Sequence, residues 1–557
     1  MSWARTFRTA RRIPPRQLAA RAQTVLRRRL HALRPEAPVA EAARCAEALV
    51  PLRPPRPADA WLAPDGLDAA RARATEFAAG RFRFLRRTED FSAGIDWDAP
   101  GTSLLWRYQL QYLGAVLDLA LAGDGEAARN VVASWTARHG SRWDPVAWHP
   151  YPVSLRVTNL CLAAGVLGGF DALGPAAARS VATQAAFVAG HLERDVRGNH
   201  LLENLFALLV AARSFSGGLA EEFERTAREG LGVEVPEQVL ADGAHFELSP
   251  MYHAIVLNRF LGVRALLGDG GPLVRDVVGP AVARMRTFLA GILCPDDEIP
   301  LLGDSVRGFA PPARALLGDV AVDATTGVRS FPGAGLHVLR TPRLWAILDA
   351  GDVCPPYLPA HGQADSLTVE VWCDGACVVG DPGVFDYAGP ERSWGRSSRS
   401  HSTVTLDDRD SSEVYASFRV GGRARIPFVE AGARQVTAAM VPFGADARLT
   451  RIVQIRDDAA LRIVDDGRAP SGTVARSRLH LHPEARVIAG TAGDREVGIA
   501  TPRGRVRIVS AHPLALEDGR ASREFGLLEP TRILVQSLRR EGDRSDVHGE
   551  WTIEAAS

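Results

Sequence analysis

"GDVAVDATTGVRSFPGAG", residues 318–335, separates two halves of a 557-residue chain that are written with different periods. Upstream, from about residue 65 to 315, apolar residues recur at helical spacing in Ala/Leu-rich segments broken by Gly, Pro or Asp. "LLWRYQLQYLGAVLDLALAG" (104–123) and "AIVLNRFLGVRALLG" (254–268) are examples. Downstream, "SLTVEVWCDG", "ACVVGD", "RLTRIVQIRDD" and "LRIVDDG" are short β-rich runs with turns between them. Helices that recur about every 20–40 residues without a strict repeat suit pairs wound into a toroid or solenoid. The strand-rich half is large enough for an antiparallel sandwich of two broad sheets.

Composition narrows the chemistry. Hydrophobic residues are 46% and charged residues 24% of the chain, the range of an ordinary globular protein. The net charge of +1 leaves no global field to attract nucleic acid or a membrane, and no nucleic-acid partner is expected. Every fixed basic side chain is arginine. The absence of lysine excludes a Walker-type lysine, a Schiff base and a lysine general base. Arginine instead suits bidentate recognition of carboxylate or sulfate. The six cysteines form no CxxC pair and read as buried or free thiols, with Cys373 and Cys377 expected on one face of a strand.

The first thirty residues are basic but carry no continuous apolar core and no cleavage site, so no signal peptide is expected. No segment approaches the apolar length that spans a bilayer. The segment reads either as a helix clasping the main domain or as an amphipathic helix at an anionic membrane surface. A cytoplasmic or membrane-peripheral location is the expectation. The oligomeric state is not legible.

Within the helical half, "RGNHLLENLFALL" (197–209) gathers Asn199, His200, Glu203 and Asn204 on one arc of a helix, with leucines on the opposite arc. Solvated faces elsewhere in this chain use Arg, Glu and Asp, as in "LAEEFERTARE" (219–229). The amide, imidazole and carboxylate together read instead as the wall of a polar pocket.

Several spaced stretches, in order, resemble the heparinase II/III family of polysaccharide lyases. They are "DWDAPGTSLLWRYQLQYL" (96–113), "WHPYPVSLRVTNL" (148–160), "GNHLLENLFAL" (198–208), "GAHFELSPMYHAIVL" (243–257), "HGQADSLTVEVW" (361–372), "GDPGVFDY" (380–387) and "RSSRSHSTVTLD" (396–407). The resemblance implies a multidomain α+β chain. A basic helical extension (1–60) precedes an α/α toroid (61–325) and an antiparallel β-sandwich (326–557), with the substrate cleft between the last two. It further implies an anionic polysaccharide or oligosaccharide substrate, cleaved by β-elimination at a uronic acid.

Elimination needs donors for the C5 carboxylate and the developing enolate, a base for the C5 proton and an acid for the C4 oxygen. By resemblance, Asn199 neutralises the carboxylate, and Glu203 orients or charges His200. Tyr252 serves as acid and, for some epimers, base, with His253 beside it as support. His361 is the second base. Gln363, Asp381 and His401 match places where family members hold a divalent ion, so one structural zinc or calcium ion is expected, with Asp365 nearby. Arg107, Arg156, Arg396 and Arg399 are the candidate substrate-binding arginines, and Trp148 a candidate for stacking on a sugar ring. Two rivals are a glycoside hydrolase and a non-catalytic protein that binds or processes exopolysaccharide. The first would need a facing carboxylate pair, for which Asp96, Asp98 and Glu247 are available.

Overall fold

The computed structural model describes residues 3–540 and 546–556. Helices give way to strands between the helix Ala313–Leu317 and the strand Gly327–Phe331. By compactness the chain divides into two units, a helical one and a sheet-rich one. The helical unit is Pro14–Gln238 with Ile255–Val282. The sheet-rich unit takes residues 3–13, Val239–Ala254 and Ala283 onward.

The helical unit is a toroid of packed helix pairs. The helix Gly198–Ala212 packs against Pro150–Leu167 and Gly218–Gln238, and Glu36–Ala46 packs against Ala177–Gly190. Local chemistry sets the ends. Asp124 accepts from the backbone N–H of Ala127 at 2.9 Å to start Gly125–His139. Pro150 opens Pro150–Leu167, and Gly168, at φ 96°, closes it in the left-handed conformation that glycine tolerates. Gly262 serves packing instead, since a Cβ there would fall 2.4 Å from the Trp61 ring and 2.8 Å from Phe206.

The sheet-rich unit is an antiparallel sandwich. One five-stranded sheet runs in chain order through Gly327–Phe331, Leu336–Arg340, Leu344–Asp349, Val369–Cys373 and Ala376–Val379. A second, larger sheet contains the ladder Gln435–Val441, Arg448–Ile455, Ala460–Arg468 and Asp546–Ala555. The two-residue period of a strand sorts the first sheet's side chains into two cores. Leu344, Ala346 and Leu348 enter the sandwich core with Val453, Ile463 and Ile553. Trp345 and Ile347 point the other way, joining Trp372, Phe288 and Ile292. That second core explains why helical residues around 288 belong to the sheet-rich unit.

The same period corrects the expectation for Cys373 and Cys377. A hairpin lies between them, with Asp374 at φ 49° and Gly375 at φ 78° as its turn. Cys373 therefore enters the sandwich core, and Cys377 the core of Trp372. Four-residue spacing puts two side chains on one face only if the strand does not turn back.

Candidate functional site

The candidate residues form two polar clusters, one in each unit. In the helical unit the chain reaches Gly198–Ala212 through Arg197 and Gly198, both at positive φ. Asn199 is buried and His200 partly exposed. His200 Nδ1 lies 2.9 Å from Glu193 Oε1. Asn204 grips the same carboxylate group: its amide donates to Glu193 Oε2 at 3.0 Å, and its carbonyl oxygen accepts the Glu193 backbone N–H at 2.7 Å. Burial works against charge on Glu193, but the neighbouring His200 imidazole and these bonds win and bring its carboxyl down to about 2.

His149 stands on the other side of Glu193, 3.7 Å from it, and its Nε2 accepts from Arg28 at 2.9 Å. A nitrogen that accepts from a guanidinium carries no proton. Burial also drives the His149 imidazole down to about 4, so it is neutral. The Tyr151 ring lies 4.3 Å from that of His200.

This geometry corrects one assignment. Glu203 does not hold His200. It is buried in an ion pair with Arg259, at 2.6 and 2.8 Å. The carboxylate on His200 is Glu193, seven positions earlier and outside the helix. Sequence reasoning confined to one helical face could not reach it.

In the sheet-rich unit, the start of helix Pro250–Leu267 is tied to the segment carrying Asp304. Ser249 Oγ donates to the Asp304 carbonyl at 2.7 Å, and the Met251 N–H donates to Ser305 Oγ at 3.1 Å. This anchoring presents Tyr252 to His361, which lies in the loop between strands Leu344–Asp349 and Val369–Cys373. The two rings stack with centroids 3.8 Å apart. The Tyr252 hydroxyl meets that of Tyr387 at 2.9 Å. Burial, and then the neighbouring tyrosine, raise the Tyr252 hydroxyl well above its ordinary value.

His361 stands between two carboxylates. Nδ1 is 2.9 Å from Asp304 Oδ2, and Nε2 is 3.0 Å from Glu247 Oε2. Burial opposes its charge, but the two carboxylates outweigh that and raise its pKa. Asp304 also takes a two-pronged pair from Arg392, at 2.5 and 2.7 Å, and a hydrogen bond from the Gln363 amide at 2.9 Å. Its carboxyl is held well below the usual range against its burial. Asp304, Glu247, Arg392 and Tyr387 were not singled out for these roles, because each comes from a segment distant in sequence from His361.

Other expected site residues are structural. Arg156 is fully buried, stacks on Trp135 and donates to Gln184 and to the Gln111 and Ala147 carbonyls, which leaves it no reach to a substrate. Arg396 is buried and donates to the carbonyls of Gly362, Ala416, Ser417 and Arg419. Trp148 is a core ring whose Nε1 donates to the His139 carbonyl at 2.8 Å. His253, next to Tyr252 in sequence, is buried with its Nε2 3.1 Å from the Met285 carbonyl and does not support the tyrosine. Arg399 is exposed, and Arg107 half-buried with its Nε lacking a hydrogen-bond partner.

The expected metal ligands do not converge as a set. His401 is fully buried, with Nδ1 2.8 Å from Asp381 Oδ2. Burial lowers it, but Asp381 more than restores the charge and holds it up to about 9. Gln363 turns its amide N–H groups to Asp304 and to the Gly303 carbonyl. Gln363 Oε1 and His401 Nε2 are buried without a hydrogen-bond partner. Among the described residues no group of three or more His, Cys, Asp or Glu side chains is arranged to hold a metal ion. One imidazole, one carboxylate and one amide oxygen fall short of the four ligands zinc takes.

Comparisons with known proteins agree with both halves of this architecture. The family description "Heparinase II/III N-terminus" matches residues 68–311, and "Heparinase II/III-like, C-terminal" matches residues 323–548. A heparin-sulfate lyase from Pedobacter heparinus is 30% identical over 370 residues, covering 58% of this chain and 55% of the relative. The chain thus spans about half the length of that relative. Among solved structures, a mutant of the heparan sulfate lyase HepC from Pedobacter heparinus matches with TM-score 0.61 at 21% identity. It covers 93% of this chain and 88% of its own. The crystal structure of a heparinase III matches with TM-score 0.72 at 17% identity, covering 88% of this chain and 85% of its own.

Proposed function

The chain belongs to the heparinase II/III family, and on that footing we propose that it is a polysaccharide lyase. Its substrate is an anionic, uronic-acid-containing polysaccharide of the glycosaminoglycan class, cleaved by β-elimination. The observation that carries the reading is the Tyr252–His361 pair: a neutral phenol stacked on an imidazole that two carboxylates keep charged.

The residues divide the chemistry by their electrostatics. Asn199 supplies an amide donor to the C5 carboxylate and stabilises the enolate that develops there. Glu193 fixes the proton of His200 on Nδ1, so Nε2 carries the lone pair that takes the C5 proton. Tyr252, protonated because its hydroxyl is raised, gives its proton to the C4 oxygen as the C4–O bond breaks and the C4–C5 double bond forms. Exchange with solvent returns each group to its starting protonation state. His361 enters as a charge, not as the second base: with both ring nitrogens against carboxylates it has no lone pair to offer. Tyr387 and Arg392 position Tyr252 and Asp304.

A divalent cation at Asp381, His401 and Gln363 is a separate, structural proposal and takes no part in these steps. The buried Gln363 Oε1, which has no hydrogen-bond partner, supports it; the charge that Asp381 keeps on His401, which leaves its Nε2 no lone pair, and the small donor set weigh against zinc. Elemental analysis of the purified protein tests it; a metal content indistinguishable from buffer removes it.

The lyase reading is tested on a panel of uronic-acid polymers, both glycosaminoglycans and bacterial exopolysaccharides. The ultraviolet absorbance of the C4–C5 double bond is the readout. Saturated reducing ends without that absorbance would mark hydrolysis and overturn it.

A further inference from the structure

The helix Pro15–Leu33 has two faces that answer to different partners. Its inner face is bound to its own unit. Gln17 and Arg21 donate to the Asp195 carbonyl at 3.1 and 3.0 Å, Arg27 donates to the Gly190 carbonyl at 2.9 Å, and Arg28 reaches His149. The outer face carries Leu18, Ala22, Val25, Leu26, Leu30 and Leu33. At 100° per residue these fill an arc of about 140° in which Arg29 is the one polar residue. Leu26 is 58% exposed, Leu30 53% and Leu33 78%. Isolated exposed leucines need no explanation, but a continuous helical stripe of them does.

The charge around that stripe identifies what covers it. Residues 1–35 contain ten arginines and no Asp or Glu, in a chain whose net charge is only +1. The preceding helix, Trp3–Ala10, is built alike: Arg5 and Arg8 bind Glu413, while Trp3 is 91% exposed. We propose that the helix Pro15–Leu33 docks this chain on an anionic lipid surface, its leucines in the acyl boundary and its arginines at the headgroups. Arg29, within the apolar arc, has a stem long enough to lift its guanidinium to that level.

Two other occupants fit less well. A soluble anionic polymer would answer the arginines but offer the leucines no apolar phase. A second copy would cover the leucines but bring two acid-free arginine segments together. No helix among the described residues is long and apolar enough to cross a membrane, so the contact is interfacial.

The test is flotation of the full chain with phosphatidylcholine vesicles, with and without phosphatidylglycerol. Binding is expected to the anionic vesicles alone and should weaken with added salt. The double variant Leu26→Ser/Leu30→Ser should cut partitioning by about tenfold or more at unchanged thermal stability, since both side chains face outward. Arg29→Glu should act in the same direction. Turnover on soluble polymer is read separately and should not change, because none of these residues belongs to the proposed machinery. Failure of the wild-type chain to bind anionic vesicles overturns the proposal. So does binding that the leucine variant leaves intact, or a wild-type dimer in sedimentation that the same variant dissolves.

Discussion

The two polar clusters are built on inverted stoichiometries. In the helical unit one carboxylate, Glu193, stands between two imidazoles, His200 and His149. In the sheet-rich unit one imidazole, His361, stands between two carboxylates, Asp304 and Glu247. The first arrangement has negative charge for only one ring, so His149 goes neutral and the other ring is oriented. The second has more negative charge than the ring can balance, so the imidazole stays protonated and Arg392 takes up the remainder. The same residue types thus give a proton acceptor in one place and a fixed cation in the other. A histidine's role follows from the count of carboxylates around it, which its own motif does not contain.

The comparison is broken most decisively at the residue that the fixed cation supports. Tyr252→Phe keeps the ring that stacks on His361 and deletes the hydroxyl that meets Tyr387. Turnover should fall by about 10²–10⁴-fold, read as the rate of unsaturated product formation, while the thermal midpoint stays near that of the parent chain. Retained activity would remove the tyrosine from the reaction.

Asp304→Asn attacks the second cluster through its hub. The change leaves the buried Arg392 guanidinium without its carboxylate and removes one of the two charges that hold His361 protonated. Breaking a buried pair by removing one partner costs about 3–5 kcal/mol, so denaturant midpoints should drop sharply. A loss of under about 1 kcal/mol would mean that Arg392 finds another anion.

Glu193→Gln sharpens the first cluster. His200 loses the acceptor that fixes its tautomer, and kcat should fall by about tenfold or more with KM little changed. The stability difference also has a pH signature. The Glu193 carboxyl lies at about 2 in the folded chain, below the ordinary 4.5 of a glutamate. Its contribution is therefore present above that ordinary value and is lost as pH falls through about 2. Unfolding followed across that acid range should show the gap between parent and variant closing. A gap constant with pH would place the charge elsewhere.

What was legible in the sequence was whatever repeats locally. The change of period at residues 318–335 marks where helices end and strands begin, because binary patterning is a near-neighbour property. Asn199, His200 and Tyr252 were legible as motif residues. Their partners were not. Asp304 lies 57 positions from His361 and 88 from Arg392, and nothing in one dimension joins those segments. Glu193 is close in sequence but lies off the helix, where a turn brings it back to His200. Glu203 was misassigned because it occupies the right helical arc, yet a basic partner 56 positions away, Arg259, claims it.

The smallest predicted effect concerns two arginines three positions apart, Arg396 and Arg399, which sequence reasoning treated alike. Arg396 is buried, and its guanidinium satisfies backbone carbonyls from the Gly362 loop and from 416–419. Arg399 sits in the middle of the short helical turn Ser398–Ser400 with its side chain in solvent, while its backbone carbonyl faces His480 at 3.0 Å. Arg396→Ala leaves buried carbonyls unpaired and should cost about 1–3 kcal/mol. Arg399→Ala removes nothing the backbone needs and should change stability by less than about 0.5 kcal/mol. If Arg399 touches polymer, its loss should appear as a raised KM that is larger at low salt, since an exposed guanidinium acts through a screened field. A KM unchanged at every ionic strength would leave Arg399 merely solvated, and equal destabilisation by both variants would contradict the burial that distinguishes them.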